Sequence, residues 1–279
     1  MASRIVIICG PTASGKSARA IDIAQSGGGV IINADAMQVY RELSVLTARP
    51  TKAQERAVPH RLYGVMPAGE ACSAAKWLHM ARTVIDEVAG SGNLPVVTGG
   101  TGLYIKALME GLSAIPDVPA KIQAQAALLW QEQGARALLE RDAEMSARLK
   151  DGDKQRHIRA LGVVLATGKS LAFWQSQPRE KPYPDAAFEV EVMHVPRAEL
   201  YRRCDARFHS MLEAGALEEV KALHALGLSP HLPAMNAVGV PELIGHLDGK
   251  WDLNEATKRA CQATRNYAKR QMTWFRHQL

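Results

Sequence analysis

Apolar residues in this chain come in short runs separated by polar, helix-spaced stretches. "RIVIIC" (4–9) is a continuous apolar run of strand length, and "ARAIDIAQS" behind it carries its apolar residues at helical spacing. "GGGVIINADAMQVYRE" repeats the theme, an apolar strand feeding a polar turn and then a helix. "HRLYGVM" reads as a third strand. "SAAKWLHMARTVIDEVAGSG" reads as a helix with Ala75, Leu78, Ala81, Arg82, Ile85 and Val88 along one mostly apolar stripe. "NLPVVTGGTGLYIKALMEG" is then strand, glycine turn and helix. Strands alternating with helices predict an α/β fold built on a parallel sheet with helices on both faces.

The alternation stops at "LSAIPDVPAK", where two prolines lead into helical segments rich in Ala, Gln, Glu and Arg, with no strand between them. "QPREKPYPDA" closes this stretch with three more prolines. "FEVEVMHVP" then returns to a strand, with Phe188, Val190 and Val192 on one face. The sheet is thus expected to be interrupted and resumed: a first core part over 1–115, an all-helical insertion over 116–186, and a second core part over 187–279. "AELYRRCDARFHSMLEAGALEEVKALHALG" reads as one long amphipathic helix or a pair. In "LNEATKRACQATRNYAKRQMTWFR", Ala256, Ala260, Ala263, Tyr267 and Trp274 form the stripe expected to be buried.

Composition narrows the class. A chain of 279 residues with 47% hydrophobic content can bury a real core. No apolar run approaches the ~20 residues of a membrane-spanning helix, and the first strand begins too early for a leader peptide, so a cytoplasmic protein is expected. Cys9, Cys72, Cys204 and Cys261 are scattered, without C-x-x-C spacing, and suggest neither a zinc site nor a disulfide framework. The net charge of +6 is concentrated at the C-terminal end: Lys258, Arg259, Arg265, Lys269, Arg270 and Arg276 face only Asp252 and Glu255 after residue 251. A solvated helix face explains such a stripe, and so does a polyanionic partner, which brings in nucleic acid.

The chemistry begins at "GPTASGKS". Gly10, Gly15, Lys16 and Ser17 meet the pattern G-x-x-x-x-G-K-[ST], with Pro11, Thr12, Ala13 and Ser14 between them, directly after a strand and before a helix. Glycines let successive backbone N–H groups curl toward phosphate oxygens, the helix start adds its positive dipole end, Lys16 supplies a point charge, and Ser17 a hydroxyl ligand for Mg²⁺. An ordinary P-loop ATPase also places an aspartate at the end of another buried strand. Here "LPVVTGG" ends in Thr98 and glycines, and the carboxylate comes instead from Asp35, after the second strand. Spacing alone leaves Asp35 either a site residue or a helix cap with Gln38 as its capping-box partner. Thr101, in "GGTGLY", presents a hydroxyl at the same sheet edge or caps the helix that follows. Gln155, Arg156 and Arg159 can share one helix face, and Arg203 and Arg207 another; surface ion pairing is the alternative for each.

Together these strings resemble the tRNA dimethylallyltransferase (isopentenyl transferase) family, in its compact bacterial form. The resemblance runs through "GPTASGKS", "INADAMQVYR", "TARPT", "VPHRLYGV", "GGTGLYIKAL", "QRHIRAL", "RFHSMLEAGALEEV" and "QATRNYAKRQMTWFR", in the family's order. It implies transfer of a dimethylallyl group from dimethylallyl diphosphate to N6 of adenosine 37 in tRNAs reading codons that begin with U. It further implies Asp35 as general base, Thr101 and Arg203 at the reacting phosphates, and the phosphate loop with Mg²⁺ on the leaving diphosphate. Asp35, Ala36, Met37 and Gln38 would touch tRNA, as would Gln155, Arg156, His157, Ile158 and Arg159. Gln123 takes the place of an Arg that often contacts tRNA, and the helical insertion would close over the anticodon stem-loop. Ala36 replaces a usual Ser, Leu46 a usual Gly, and Val240 and Pro241 a usual Tyr and Lys. A monomer is expected. The rival readings are a small-molecule P-loop kinase, which shares the loop and sheet, a nucleotide-gated RNA-binding module, and prenylation of free AMP.

Overall fold

β1 (Arg4–Cys9) is enclosed from Ile5 to Cys9, which is why its apolar run is unbroken. Ile5, Ile7 and Cys9 pack into one core layer; Val6 and Ile8 pack into the other, against Ala20 and Ala24 of α1 (Lys16–Gly27). β2 (Gly29–Asn33), α2 (Lys52–Ala57), β3 (His60–Arg61), α3 (Ala74–Gly90), β4 (Leu94–Gly99) and α4 (Gly102–Glu110) follow. The computed structural model describes residues 4–279, and they divide into two units: the chain up to Met109 with Pro182–Leu279, and Glu110–Lys181.

The second unit is helical: α5 (Ala120–Gln133), α6 (Arg136–Leu139), α7 (Ala143–Arg148), α8 (Lys154–Thr167) and α9 (Leu171–Ser176). It has its own core, in which Ala126 of α5, Leu138 of α6 and Ala160 and Leu161 of α8 are wholly enclosed. Its limits lie slightly N-terminal to those expected at 116 and 186.

The chain returns to the first unit with β5 (Ala187–Val192), which pairs with β1 along its whole length. Among the described residues the strands form one sheet in the order β3-β2-β4-β1-β5, with every pairing parallel. β5 alternates as an edge strand should. Phe188 and Val192 pack on the core, while Glu189 and Glu191 face the other way and pair with Arg4 at 2.6 Å and Arg19 at 3.0 Å. Then come α10 (Arg197–Glu213), α11 (Ala216–Ala225), α12 (Val240–Leu247) and α13 (Leu253–Gln278). Gly215, at φ 98°, separates α10 from α11, so the long amphipathic stretch is a helix pair.

Three expectations need correction. No helix follows β2 directly: residues 35–48 run through successive turns, and α2 begins only at Lys52. The third strand is only two residues long, because Leu62 and Gly64 take left-handed φ values of 66° and 59° and turn the chain away from the ladder. The α3 stripe is rotated: Trp77, Ala81, Val84, Ile85 and Val88 are buried, whereas Ala75 and Arg82 are exposed. Trp77 wins the inward position by area and stacks on Tyr104 at 4.5 Å.

The turns after β2 are held from outside. The Glu219 carboxylate of α11 accepts from the backbone N–H groups of Ser44, Val45 and Leu46 at 2.7, 2.8 and 2.9 Å. Three consecutive donors on one anion are charge-assisted bonds that leave orphans when the anion is removed. Glu219→Ala is expected to cost about 2 kcal/mol and to lower the thermal midpoint by about 4–8 °C. Calorimetry of the variant checks this, and an unchanged midpoint refutes it.

Candidate active site

Strand register brings three loops to one sheet edge. Cys9 of β1 pairs with Gly99 of β4, and Asn33 of β2 with Thr98. The segments leaving these strands, 10–15, 100–101 and 34–38, therefore lie side by side at the carboxyl edge, where open α/β sheets build their sites. Gly99 permits this closeness: a Cβ there would fall 2.1 Å from Ala34 O.

The phosphate loop curls as its sequence predicts. Ala13 takes a left-handed φ of 62° between Gly10 and Gly15, and Ser14 N donates to Pro11 O at 3.3 Å. Lys16 reaches back under the loop, with Nζ 3.3 Å from Pro11 O. Burial presses its pKa down to about 8; Arg207 pushes the same way and Asp35 opposes both. The Ser14 hydroxyl is buried without a partner among the described residues, and Ser17 is exposed at the start of α1. Lys16 and Ser17 line a crevice together with Ala13, Gly15, Arg203 and Arg207.

Asp35 is not a helix cap. Its Oδ1 accepts from Met37 N at 2.9 Å, an Asx turn that holds the carboxylate at a cavity wall. The buried Asn33 fixes this segment: Oδ1 accepts from Asp35 N at 2.9 Å, and Nδ2 donates to Asp35 O at 3.0 Å and Leu62 O at 3.1 Å. Trp77 Nε1 in turn donates to Asn33 O at 2.8 Å. Thr101 stands at the start of α4, its O accepting from Tyr104 N at 2.9 Å and Ile105 N at 3.4 Å, but its side chain does not cap the helix. Its Oγ1 accepts from Ala36 N at 2.9 Å, and the Tyr267 phenol on the same cavity wall has its pKa raised by burial first and by the Asp35 carboxylate second.

Asp35, Ala36, Met37, Thr101 and Thr12 open onto one cavity of about 500 Å³, with Leu46, Leu103, Phe208, Met211 and Trp274 among its apolar walls. Gln38 turns into a second cavity of about 440 Å³, beside Ser17, Thr98 and Tyr63, and its Nε2 donates to Thr47 O and Ala48 O at 2.8 and 3.2 Å. Arg207 and Met211 line both cavities. Arg203 reaches the phosphate-loop crevice but is exposed and bonded through Nε to Glu199 at 2.8 Å. Arg207, one turn along α10, is the more enclosed arginine: burial lowers its pKa, and Asp35 pulls it back up.

In the second unit, Gln155, Arg156 and Arg159 are exposed on α8, and Gln123 is exposed on α5 with Nε2 on Val118 O at 2.9 Å. His157 and Ile158 belong to that unit's interior instead. His157 is fully buried, with Nδ1 2.9 Å from Asp153 O and its ring 4.7 Å from Trp130; Ile158 packs on the same core. Their helix positions turn them inward, so they support the face that the exposed residues present.

The α13 stripe is as expected at Ala256 and Ala260 and departs from the expectation after them. Ala256, Ala260, Ala268 and Phe275 are buried, while Tyr267 and Trp274 line the large cavity beside Arg270. Two of the basic residues are already paired, Arg259 with Glu255 and Arg265 with Asp205. The sequence reading did not single out Asn33 or Gln271, took Tyr267 for core, and offered Arg207 only as a residue sharing a helix face with Arg203. Asn33 did leave a signal, a polar residue ending an apolar strand. No helix among the described residues is long and apolar enough to cross a membrane.

Comparison with known proteins agrees with this geometry. The family model described as IPP transferase matches residues 38–278, and one described as isopentenyl transferase matches residues 3–65. The chain is 53% identical to the tRNA dimethylallyltransferase of Rhodospirillum centenum, covering 99% of this chain and 89% of that one. It is 51% identical to that of Paramagnetospirillum magneticum, covering 98% and 88%. Among solved structures, the full-length tRNA isopentenylpyrophosphate transferase of Bacillus halodurans superimposes with a TM-score of 0.70 at 30% identity, covering 99% of this chain and 88% of that one. A eukaryotic dimethylallyltransferase acting on tRNA gives 0.80 at 25% identity, covering 98% and 70%. With a family model matched over residues 38–278 and a relative 53% identical over 99% of its length, the chain belongs to the IPP transferase family.

Proposed function

We propose that the protein transfers a dimethylallyl group from dimethylallyl diphosphate to N6 of adenosine 37 in tRNAs reading codons that begin with U, giving N6-dimethylallyladenosine and diphosphate. The coarser statement, an enzyme that transfers a dimethylallyl group to tRNA, follows from family membership. The observation that carries the finer reading is the large cavity. It places Asp35 and Thr101 beside the phosphate loop's Thr12 and between apolar walls, a surrounding suited to an allyl chain and a purine face.

The N6 lone pair of adenine is delocalised into the ring, so the amine is a weak nucleophile until its proton is withdrawn. In the proposed step, N6 attacks C1 of the dimethylallyl group as the C1–O bond breaks and its electron pair leaves with the diphosphate. The N6 proton passes to Asp35 Oδ2, while Oδ1 stays on Met37 N. Loop N–H groups, Lys16 and Arg207 meet the charge that accumulates on the diphosphate. Thr101 keeps the Asp35–Ala36 peptide in place, and Leu46, Phe208 and Met211 exclude water from the allylic carbon. Flipping the base out of the anticodon loop costs a few kcal/mol, which contacts from Gln38 and from the exposed α8 face, Gln155, Arg156 and Arg159, would offset.

The donor set suits Mg²⁺. Ser17 offers one hydroxyl, and no cluster of three or more His, Cys, Asp or Glu occurs among the described residues. That pattern fits an ion held mainly by diphosphate oxygens and water. When bound, it would neutralise part of the leaving group's charge. We place the activity in the cytoplasm, where tRNA resides, and propose that the protein acts as a monomer. A small-molecule kinase fits less well, because β4 ends in Thr98 and Gly99 with no carboxylate, and the relatives at about half identity are transferases.

The test is incubation with Mg²⁺, radiolabelled dimethylallyl diphosphate and unmodified tRNA carrying A36-A37-A38, followed by nucleoside digestion. Label in N6-dimethylallyladenosine is the expected result. An unlabelled tRNA, together with phosphate transfer from ATP to a small molecule, would replace the reading with the kinase.

A further inference from the structure

Gln271 of α13 is only 5% exposed, although it stands in the wall of the large cavity beside Arg270 and Trp274. A carboxamide so enclosed must find its partners inside the protein, and this one finds them on two different loops. Oε1 accepts from Thr12 N of the phosphate loop at 2.7 Å, and Nε2 donates to Gly100 O of the turn after β4 at 2.8 Å. Residue 100 is glycine for this purpose: a Cβ there would lie 2.2 Å from Gln271 Nε2. The next residue of the turn is Thr101, whose Oγ1 holds Ala36 N at 2.9 Å and whose own N donates to Ala34 O at 3.2 Å. One chain of hydrogen bonds thus runs from the phosphate loop through Gln271, Gly100 and Thr101 to the peptide that carries Asp35.

We infer that Gln271 is a positioning residue that fixes the phosphate loop relative to the Asp35–Thr101 edge, and so sets the line between leaving group, allylic carbon and base. This rests on the dimethylallyl-transfer reading. The role needs an acceptor and a donor in one planar group of this length. Glu lacks the donor, Lys lacks the acceptor, and Asn is one methylene short. The effect is geometric: a neutral amide adds no charge to the site, but an error near 1 Å between reacting groups costs about 100-fold in rate.

The experiment compares wild type with Gln271→Leu, Gln271→Asn and Gly100→Ala, the last crowding the same carboxamide from the other side. Thermal midpoint, affinity for magnesium pyrophosphate, and kcat and KM on unmodified tRNA are measured for each. In every variant that folds, kcat is expected to fall by about 100-fold, while pyrophosphate affinity and KM for tRNA stay within about threefold of wild type. A residue that merely kept the loop folded would move pyrophosphate affinity together with kcat, and that outcome overturns the inference. So does a kcat within about threefold of wild type in any folded variant. A wild-type protein that transfers no dimethylallyl group overturns the functional reading instead, so the two failures are told apart.

Discussion

Asp35→Asn is expected to lower the single-turnover rate of dimethylallyl transfer by about 10²- to 10⁴-fold, the usual worth of a positioned general base. The substitution removes the proton acceptor and little else. Asn keeps an oxygen that can accept from Met37 N, as Asp35 Oδ1 does at 2.9 Å, and the clamp from Asn33 acts on the backbone of residue 35, not on its side chain. The segment 35–38 therefore keeps its path, and tRNA affinity should change by less than about threefold. Asp35→Ala is the instructive contrast, because it also dissolves the Asx turn and should weaken binding along with rate. Rapid-quench transfer assays and filter binding on the same preparations decide. Retention of most of the rate in Asp35→Asn, or loss of tRNA affinity in proportion to rate, would remove Asp35 from the role of base.

How far the site can be read from the amino-acid order depends on whether a residue acts through its neighbours in sequence or through contacts across the fold. The phosphate loop is entirely local: the glycine spacing, the strand before it and the helix after it are all contiguous, and the structure reproduces the predicted curl. The parallel sheet was legible for the same reason, since each apolar run reports its own enclosure. The turns of 35–48 were not legible. "AMQVYRE" has helical spacing, but Glu219, about 175 residues later, claims the N–H groups of Ser44, Val45 and Leu46. Gln271 was hidden similarly, because its two partners lie 259 and 171 residues away. Periodicity gave the buried side of α13 but not which of its aromatic residues would face a cavity. It placed Tyr267 and Trp274 in the core, whereas the structure uses Ala268 and Phe275 there and gives Tyr267 and Trp274 to the site.

The two arginines of α10 illustrate the same limit. Arg203 and Arg207 share a face by spacing, and the family resemblance selects Arg203. The structure brings both to the phosphate loop but treats them differently: Arg203 is exposed and paired with Glu199, while Arg207 is enclosed between the two cavities. On the proposed reading, Arg207 stands close enough to lower the pKa of Lys16, so its charge is prearranged at the diphosphate's place, while Arg203 lines the same crevice with its Nε on Glu199.

That prearrangement shapes what Lys16 does. Lys16→Ala should lower kcat by about 10²- to 10³-fold, as expected when a fixed positive group aimed at developing negative charge is lost. Its pH signature is more diagnostic than the loss itself. Burial holds the free protein's Lys16 at about 8, below its ordinary 10.5, with Arg207 acting in the same direction. Below about pH 8 the ammonium is charged and diphosphate affinity is at its full value. A bound diphosphate stabilises the ammonium and raises its pKa. Between the free and bound values, then, the free protein has lost a proton that the complex retains, and affinity falls as pH rises, by at most tenfold per pH unit for one such group. The diphosphate's own titration contributes equally to every variant and cancels in the comparison. Titration calorimetry with magnesium pyrophosphate from about pH 6.5 to about pH 9.5 should show this fall in wild type. Lys16→Arg, charged throughout, and Lys16→Ala, charged nowhere, should both lack it. A wild-type profile parallel to that of Lys16→Ala across the window would mean that the diphosphate is not held by this lysine, and the loop's role as the grip on the leaving group would fall with it.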